Sequence, residues 1–262
     1  MMESRATHIN EQGLMVGWTR LSPKEGGPLP QAVIWTQERV VPICIPKSAQ
    51  SFAYAVNDKG IIVGAFEHTN GFVRAFATNP KSPTQPHILG TLGGSTARAF
   101  AINEHGTMVG VSSLKNGDRH AFRMLGGKLN DLGTLGGKTS QANDVNSRDQ
   151  AVGVAQIKTG RFHAFIHKEG EMKDLGTLVG SFSYAYAVYS ELVVGIAEEN
   201  QRLRRVFLHD GERMRDLNRL VPNLKNWFIT EATDINRNSD ILAMARNPNG
   251  VLQPIILIPI KC

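Results

Sequence analysis

Three stretches of this chain are near copies of one another. Leu89–Gly110 reads LGTLGGSTARAFAINEHGTMVG, Leu132–Gly153 reads LGTLGGKTSQANDVNSRDQAVG, and Leu175–Gly195 reads LGTLVGSFSYAYAVYSELVVG. Recurrence at this length means many small copies stacked side by side, not one irregular core. Aligned on Ala-x-x-[Ile/Val]-Asn, the copies have anchors at Ala6, Ala53, Ala99, Ala142, Ala185 and Ala232, spaced by 47, 46, 43, 43 and 47 residues. A period of about 40–45 fits a four-stranded propeller blade, and HEAT and armadillo repeats share it. The local pattern decides for strands: no apolar stripe recurs every 3.6 residues, and Gly interrupts every would-be helix.

Each unit breaks into four strand-like pieces. The first holds the anchor, as in Ala99–Ile102. The second carries Val-Gly, as in Leu14–Trp18, Ile61–Phe66 and Gln150–Val154. The third carries His/Arg-Ala/Val-Phe, as in Arg74–Phe76, His120–Phe122, His163–Phe165 and Arg205–Phe207, with Gln31–Trp35 and Gln253–Leu257 in the outer units. The fourth is Asp-Leu-Gly-Thr-Leu, weakened to Val41–Ile45 in unit one and Asp216–Leu220 in unit five. Asn-x-x-Gly follows the first piece at Asn10–Gly13, Asn57–Gly60 and Asn103–Gly106. Asn there accepts local backbone bonds and Gly takes positive φ, the chemistry of a tight turn with a bulge. Three tight connections per unit make an antiparallel meander. The Gly after Val is expected to leave room for an aromatic, with Phe76, Phe122, Phe165 and Phe207 as occupants.

These motifs, LGTLGG, A-x-x-[IV]-N-x-x-G-x-x-VG, HAF and DLGTLGG, resemble those of the bacterial HAF-repeat family. The match is best over Leu89–Gly180 and poorest in units one and six. The resemblance implies a propeller-like, all-β fold and assigns no activity.

The expected architecture is an all-β, six-bladed β-propeller of four-stranded antiparallel repeats, one blade incomplete. It forms a single domain over 1–262, with repeats at about 5–51, 52–97, 98–140, 141–183, 184–230 and 231–262. The count of strand pieces is 23, because the chain ends where unit six would begin its fourth. A piece of a longer repeat array is the alternative. Ring closure would bring Cys262 towards Cys44; two unrelated thiols is the simpler reading.

Composition bounds the function loosely. A net charge of +6 suits acidic partners or plain solubility. No apolar run approaches the ~18 residues of a membrane helix. The start, MMESRATHIN, has no basic and apolar leader. That points to the cytoplasm, with export independent of such a leader left open.

The search for chemistry returns little. His120 and His163 share a slot with Arg74 and Arg205, which reads as a hydrogen-bonding position and not a metal ligand. Asp131, Asp174 and Asp216 share another. No His-Glu-x-x-His or Cys-x-x-Cys occurs, so neither metal nor cofactor is expected. Gly136-Gly137-Lys138-Thr139 resembles the end of a phosphate-binding loop, but Leu132 stands where its first Gly belongs, so it reads as the repeat's own turn.

Function in a repeat protein belongs where the copies differ. Arg98, Gln141, Tyr184 and Glu231 precede their anchors, and His8, Asp144 and Asp234 replace Ala two residues after them. These are the candidate ligand-binding residues, at the mouth of a channel lined by inner strands. Gln201–Arg219 holds six Arg, and Leu220–Phe228 is an insertion. Arg202, Arg204, Arg205 and Trp227 are therefore the candidate partner-binding residues. Nucleic acid is disfavoured, because no aromatic ladder accompanies the Arg. The leading expectation is a non-enzymatic module that binds a protein, possessing an acidic face. Small-ligand or glycan binding at the channel mouth comes second. A hydrolase or lyase site assembled from several blades comes third.

Overall fold

The computed structural model describes residues 3–20, 29–37, 39–178, 180–200, 203–222 and 224–260. The described residues contain 23 strands in six antiparallel meanders, the number of pieces counted in the sequence. Blade one is β1 (Ser4–Ile9), β2 (Met15–Arg20), β3 (Pro30–Trp35) and β4 (Val40–Pro42). Blade two is β5 (Ser48–Val56), β6 (Ile62–His68), β7 (Val73–Thr78) and β8 (His87–Ile88). Blade three is β9 (Gly93–Ile102), β10 (Met108–Leu114), β11 (Arg119–Leu125) and β12 (Lys128–Asp131). Blade four is β13 (Gly136–Val145), β14 (Ala151–Ile157), β15 (Phe162–Lys168) and β16 (Glu171–Asp174). Blade five is β17 (Phe182–Tyr189), β18 (Leu192–Asn200), β19 (Leu203–His209) and β20 (Met214–Asp216), followed by one helical turn, α1 (Leu217–Leu220). Blade six has three strands, β21 (Phe228–Ile235), β22 (Ile241–Arg246) and β23 (Leu252–Leu257).

The chain divides into two compact units, Met1–Asp131 and Leu132–Cys262, of three blades each. Within each unit, the cores lie between successive blades. In the first unit, one cluster joins Val16, Ala32 and Ile34 of blade one to Ala53, Val56 and Phe76 of blade two. Another joins Ala55, Val63 and Ala75 of blade two to Ala97, Ala99 and Phe122 of blade three. In the second unit, Val152 and Ala164 of blade four meet Ala185, Val193 and Phe207 of blade five. Ala187, Val194 and Val206 of blade five meet Ile229, Ala232 and Ala243 of blade six. Five of the six anchoring alanines are fully buried, Ala6 being exposed, and the four Phe of the third strands are fully buried. Burying each ring contributes roughly 1.5–3 kcal/mol.

Every first strand carries a β-bulge at one slot. The register of β5 on β6 jumps between Ala53 and Ala55, and that of β13 on β14 jumps between Ala142 and Asp144. The jump recurs at Ala6/His8, Ala185/Ala187 and Ala232/Asp234. In β9, Ala99 and Ala101 face consecutive residues of β10. The skipped residue is the one after the anchor, and a bulge there re-aims its side chain.

The bulge also corrects the reading of the Val-Gly glycine. A Cβ on Gly64 would lie 2.1 Å from the carbonyl oxygen of Phe52 and 2.8 Å from the Phe76 ring. The same carbonyl clash recurs at Gly17, Gly110, Gly153 and Gly195, at 1.9–2.1 Å. Backbone approach at the bulge comes first, and the aromatic second.

Three further expectations change. Gly136-Gly137-Lys138-Thr139 opens β13 and is not a turn; a Cβ on Gly137 would meet the Gln156 side chain at 2.7 Å. Asp131 and Asp174 end their strands, so Leu-Gly-Thr lies beyond the fourth strand. Asp216–Leu220 is helical from Leu217, because the Asp216 carboxylate accepts from the Asn218 N–H and caps the turn.

Candidate functional site

The slots flanking each anchor, where the copies differ, gather aromatic and polar groups on the first strands. In the first unit, Trp18 meets Phe52 edge-on with centroids 5.9 Å apart. Phe52 stacks on Tyr54 at 6.3 Å, and Tyr54 tilts against Phe100 at 5.3 Å. Burial pushes the Tyr54 phenol up, while Arg98, charged and hydrogen-bonded to it, pulls it back. A pocket of about 150 Å³ opens here, lined by Gln50, Phe52, Tyr54, Phe66, Glu67 and Arg98. Gln50 Nε2 donates to Glu67 Oε2 at 2.6 Å, fixing the acid on the rim.

The second unit builds a related row. Gln141 Nε2 donates to Asn143 Oδ1 at 2.7 Å and to the Tyr184 hydroxyl at 3.0 Å. The Tyr184 hydroxyl donates to Asn143 Oδ1 at 3.0 Å, and Tyr186 tilts against Tyr184 at 5.0 Å. Burial, and then the Glu231 charge, pushes the Tyr186 phenol up to about 12. Burial also raises the Tyr184 phenol.

The slot two residues after the anchor does different work. His8 lies in the first unit, where its Nδ1 accepts from the Val56 N–H at 3.4 Å. Asp144 and Asp234 lie in the second. Asp144 Oδ2 accepts from the Val188 N–H at 2.8 Å, and Oδ1 accepts from Val145 at 2.8 Å. In both cases the acceptor takes an N–H just past the next blade's bulge. Burial first, with repulsion from Asp234, raises the Asp144 carboxyl to about 6 against those two N–H groups. Asp234 accepts from Ile235.

Of the proposed partner residues, Arg202 lies outside the described residues. Exposed Arg204 pairs with Glu198 at 3.0 Å. Arg205 stands 4.0 Å from Asp216. Trp227 packs against the core between blades five and six, and Phe228 is the more exposed ring. Cys44 is exposed and bridges to no described residue, and Cys262 lies outside the described residues.

The shared His and Asp slots meet in cross-strand pairs. His120 Nδ1 lies 2.9 Å from Asp131, and His163 Nδ1 lies 2.8 Å from Asp174. Arg205–Asp216 repeats the pairing in blade five. Among the described residues, no group of three His, Cys, Asp or Glu could hold a metal ion. No described helix is long and apolar enough to cross a membrane.

The structure also shows two concave surfaces, the first unread in the sequence and the second within the Arg-rich stretch. A broad cleft of about 910 Å³ in the first unit is lined by Trp35 of β3 and by loop and turn residues including Arg39, Asp58, Lys59 and Lys81. A tighter pocket of about 360 Å³ in the second unit holds Arg205, Arg213, Arg215 and Arg219. The aromatic alternation in SFAYA, ARAFA and FSYAYA was the available signal for the first-strand rows.

No protein-family model matches the chain, and no curated protein matches it in sequence. Solved structures do resemble it. The β-propeller domain of the Trilobed protease from Pyrococcus furiosus, described as having an open velcro topology, aligns at TM-score 0.63 and 10% identity, over 97% of this chain and 82% of that one. A putative TolB from Agrobacterium tumefaciens aligns at 0.60 and 10%, over 99% and 91%. An acylaminoacyl peptidase from Pyrococcus horikoshii aligns at 0.57 and 10%, over 97% of this chain but only 45% of that protein. Likeness at such identities is likeness of fold. The chain has a multi-bladed, propeller-like all-β fold of four-stranded blades with a three-stranded last blade.

Proposed function

We propose that this protein is a binding propeller whose ligand is a neutral, hydroxyl-rich six-membered ring, a monosaccharide unit of a glycan. The observation that carries the reading is the pocket of about 150 Å³ between Phe52, Tyr54, Glu67 and Arg98. An apolar cavity of about that volume accommodates one benzene ring. Phe52 and Tyr54 offer ring faces for C–H groups. Gln50, Glu67 and Arg98 offer donors and acceptors for hydroxyls. The guanidinium and the carboxylate cancel, which favours an uncharged ligand. Few polar groups set among aromatics is the usual make-up of a small-ligand site.

The propellers of similar fold include peptidase-associated domains and TolB proteins, so fold alone does not choose between binding and catalysis. Nothing in this pocket pairs a nucleophile with a base, which favours binding. A glycan array probed with the full chain tests the proposal. Selective retention of one saccharide class, abolished in Arg98→Ala, supports it. An array that stays blank, or retention unchanged in Arg98→Ala, contradicts it.

A further inference from the structure

We infer a second binding site, in blade five, for the dianionic head of a phosphate monoester. Arg205, Arg213, Arg215 and Arg219 line one pocket of about 360 Å³, with Asp216 as its acid and Leu178, Met214 and Leu220 as its apolar wall. The local fold explains the convergence. Arg213 immediately precedes β20, Arg215 lies within it, Arg205 comes from the neighbouring β19, and Arg219 comes from α1.

The guanidiniums are poorly neutralised from within. Asp216 spends Oδ1 on capping Asn218. Its Oδ2 stands 4.0 Å from Arg205 and 3.8 Å from Arg219, beyond hydrogen-bond distance for both. Arg213 forms no ion pair with any described residue. Arg215 is held from behind by Asp210, at 2.7 Å from Nη2. Its Nε is buried and has no acceptor among the described residues. A buried N–H without an acceptor costs free energy.

Charge sets the ligand class. Four arginines and Asp216 line the pocket, and Asp210 pairs with Arg215, which leaves two positive charges over. A doubly charged phosphate oxygen cluster matches that excess, and planar guanidiniums bind it through paired N–H groups. A carboxylate or a sulfate monoester brings one charge only. The apolar wall suits the stem of a monoester better than free phosphate.

Calorimetric titration of the full chain with glucose 6-phosphate, glucose 6-sulfate and inorganic phosphate, at fixed ionic strength, tests the site. We expect glucose 6-phosphate to bind at least about tenfold more tightly than the sulfate, with affinity falling below about pH 6 as the phosphate takes up its second proton. Arg213→Gln, the variant that breaks no internal ion pair, should weaken binding by about tenfold or more, and Arg213→Lys by less. Arg20→Gln, outside the pocket and paired with Glu3, should leave it unchanged, and thermal unfolding should show each variant folded. Equal affinity for the sulfate, no binding at millimolar phosphate ester, or equal losses in Arg20→Gln and Arg213→Gln would each overturn the assignment.

Discussion

The side-chain amide of Asn57 donates to the backbone carbonyl of Asn103, 46 residues onward, at 2.9 Å. Asn10 reaches Asn57 in the same way at 2.9 Å, and Asn146 reaches Ser190 at 2.8 Å. The same Asn57 accepts from the Ile61 N–H through Oδ1, so one residue shapes its own turn and clasps the next blade. The turn motif that marks the repeat is therefore also the joint between repeats.

Asn57 is buried, and its removal takes the acceptor from the Ile61 N–H and leaves the Asn103 carbonyl with the Gly106 N–H alone. Asn57→Ala should cost about 2–4 kcal/mol in denaturant unfolding. Asn70→Ala, at an exposed turn with one local bond to Phe72, should cost less than about 1 kcal/mol. Equal costs would mean that the clasp contributes nothing beyond its turn.

Gly64→Ala should be among the most damaging small changes in the chain. The new Cβ would sit 2.1 Å from the Phe52 carbonyl oxygen, and backbone at a bulge cannot give way. We expect a loss of about 3 kcal/mol or more. At Gly90 no atom lies within 4 Å of the place a methyl would occupy and φ is ordinary, so Gly90→Ala should be neutral or stabilise by up to about 1 kcal/mol. Thermal unfolding of the two variants checks both.

Asp144 links stability to pH. Burial, two accepted N–H bonds and Asp234 leave its carboxyl at about 6, above its ordinary 3.8. The folded state then holds a proton that the unfolded chain has already released, so stability falls as pH rises from about 4 to about 6, and stays lower above that. Relative to Asp144→Asn, the wild type should lose on the order of 2 kcal/mol between pH 4 and pH 7. Unfolding free energies of the two proteins across that range measure it; a constant difference would contradict the account.

Much of the fold was legible because it repeats. The anchors, the Asn-x-x-Gly turns and the Val-Gly strands recur at fixed spacing, and 23 strands follow from counting them. The bulge after each anchor was not legible, because Tyr54 or Asn143 looks like any alternating strand residue until its register is known. A one-residue jump changes which side chains share a face, so the facing of Gln50 and Glu67 could not be derived from alternation alone. Asp216–Leu220 was read as strand by analogy with its sister units, and the Asp216 cap overrides that analogy locally. The Arg-rich stretch was visible, but only the structure shows that Arg205 and Arg215 line one pocket with Asp216 while Arg204 pairs with Glu198.

The central claim is that the slots flanking the anchors carry recognition, while the Asn, Gly and Asp slots carry the fold. Titration calorimetry of the saccharide retained by the wild type, against Tyr54→Ala, Arg98→Ala and the exposed-turn control Asn70→Ala, tests it most directly. The account predicts binding weakened about tenfold or more in the first two, which remain folded, and wild-type affinity in the third. Affinity that survives both Tyr54→Ala and Arg98→Ala would contradict it.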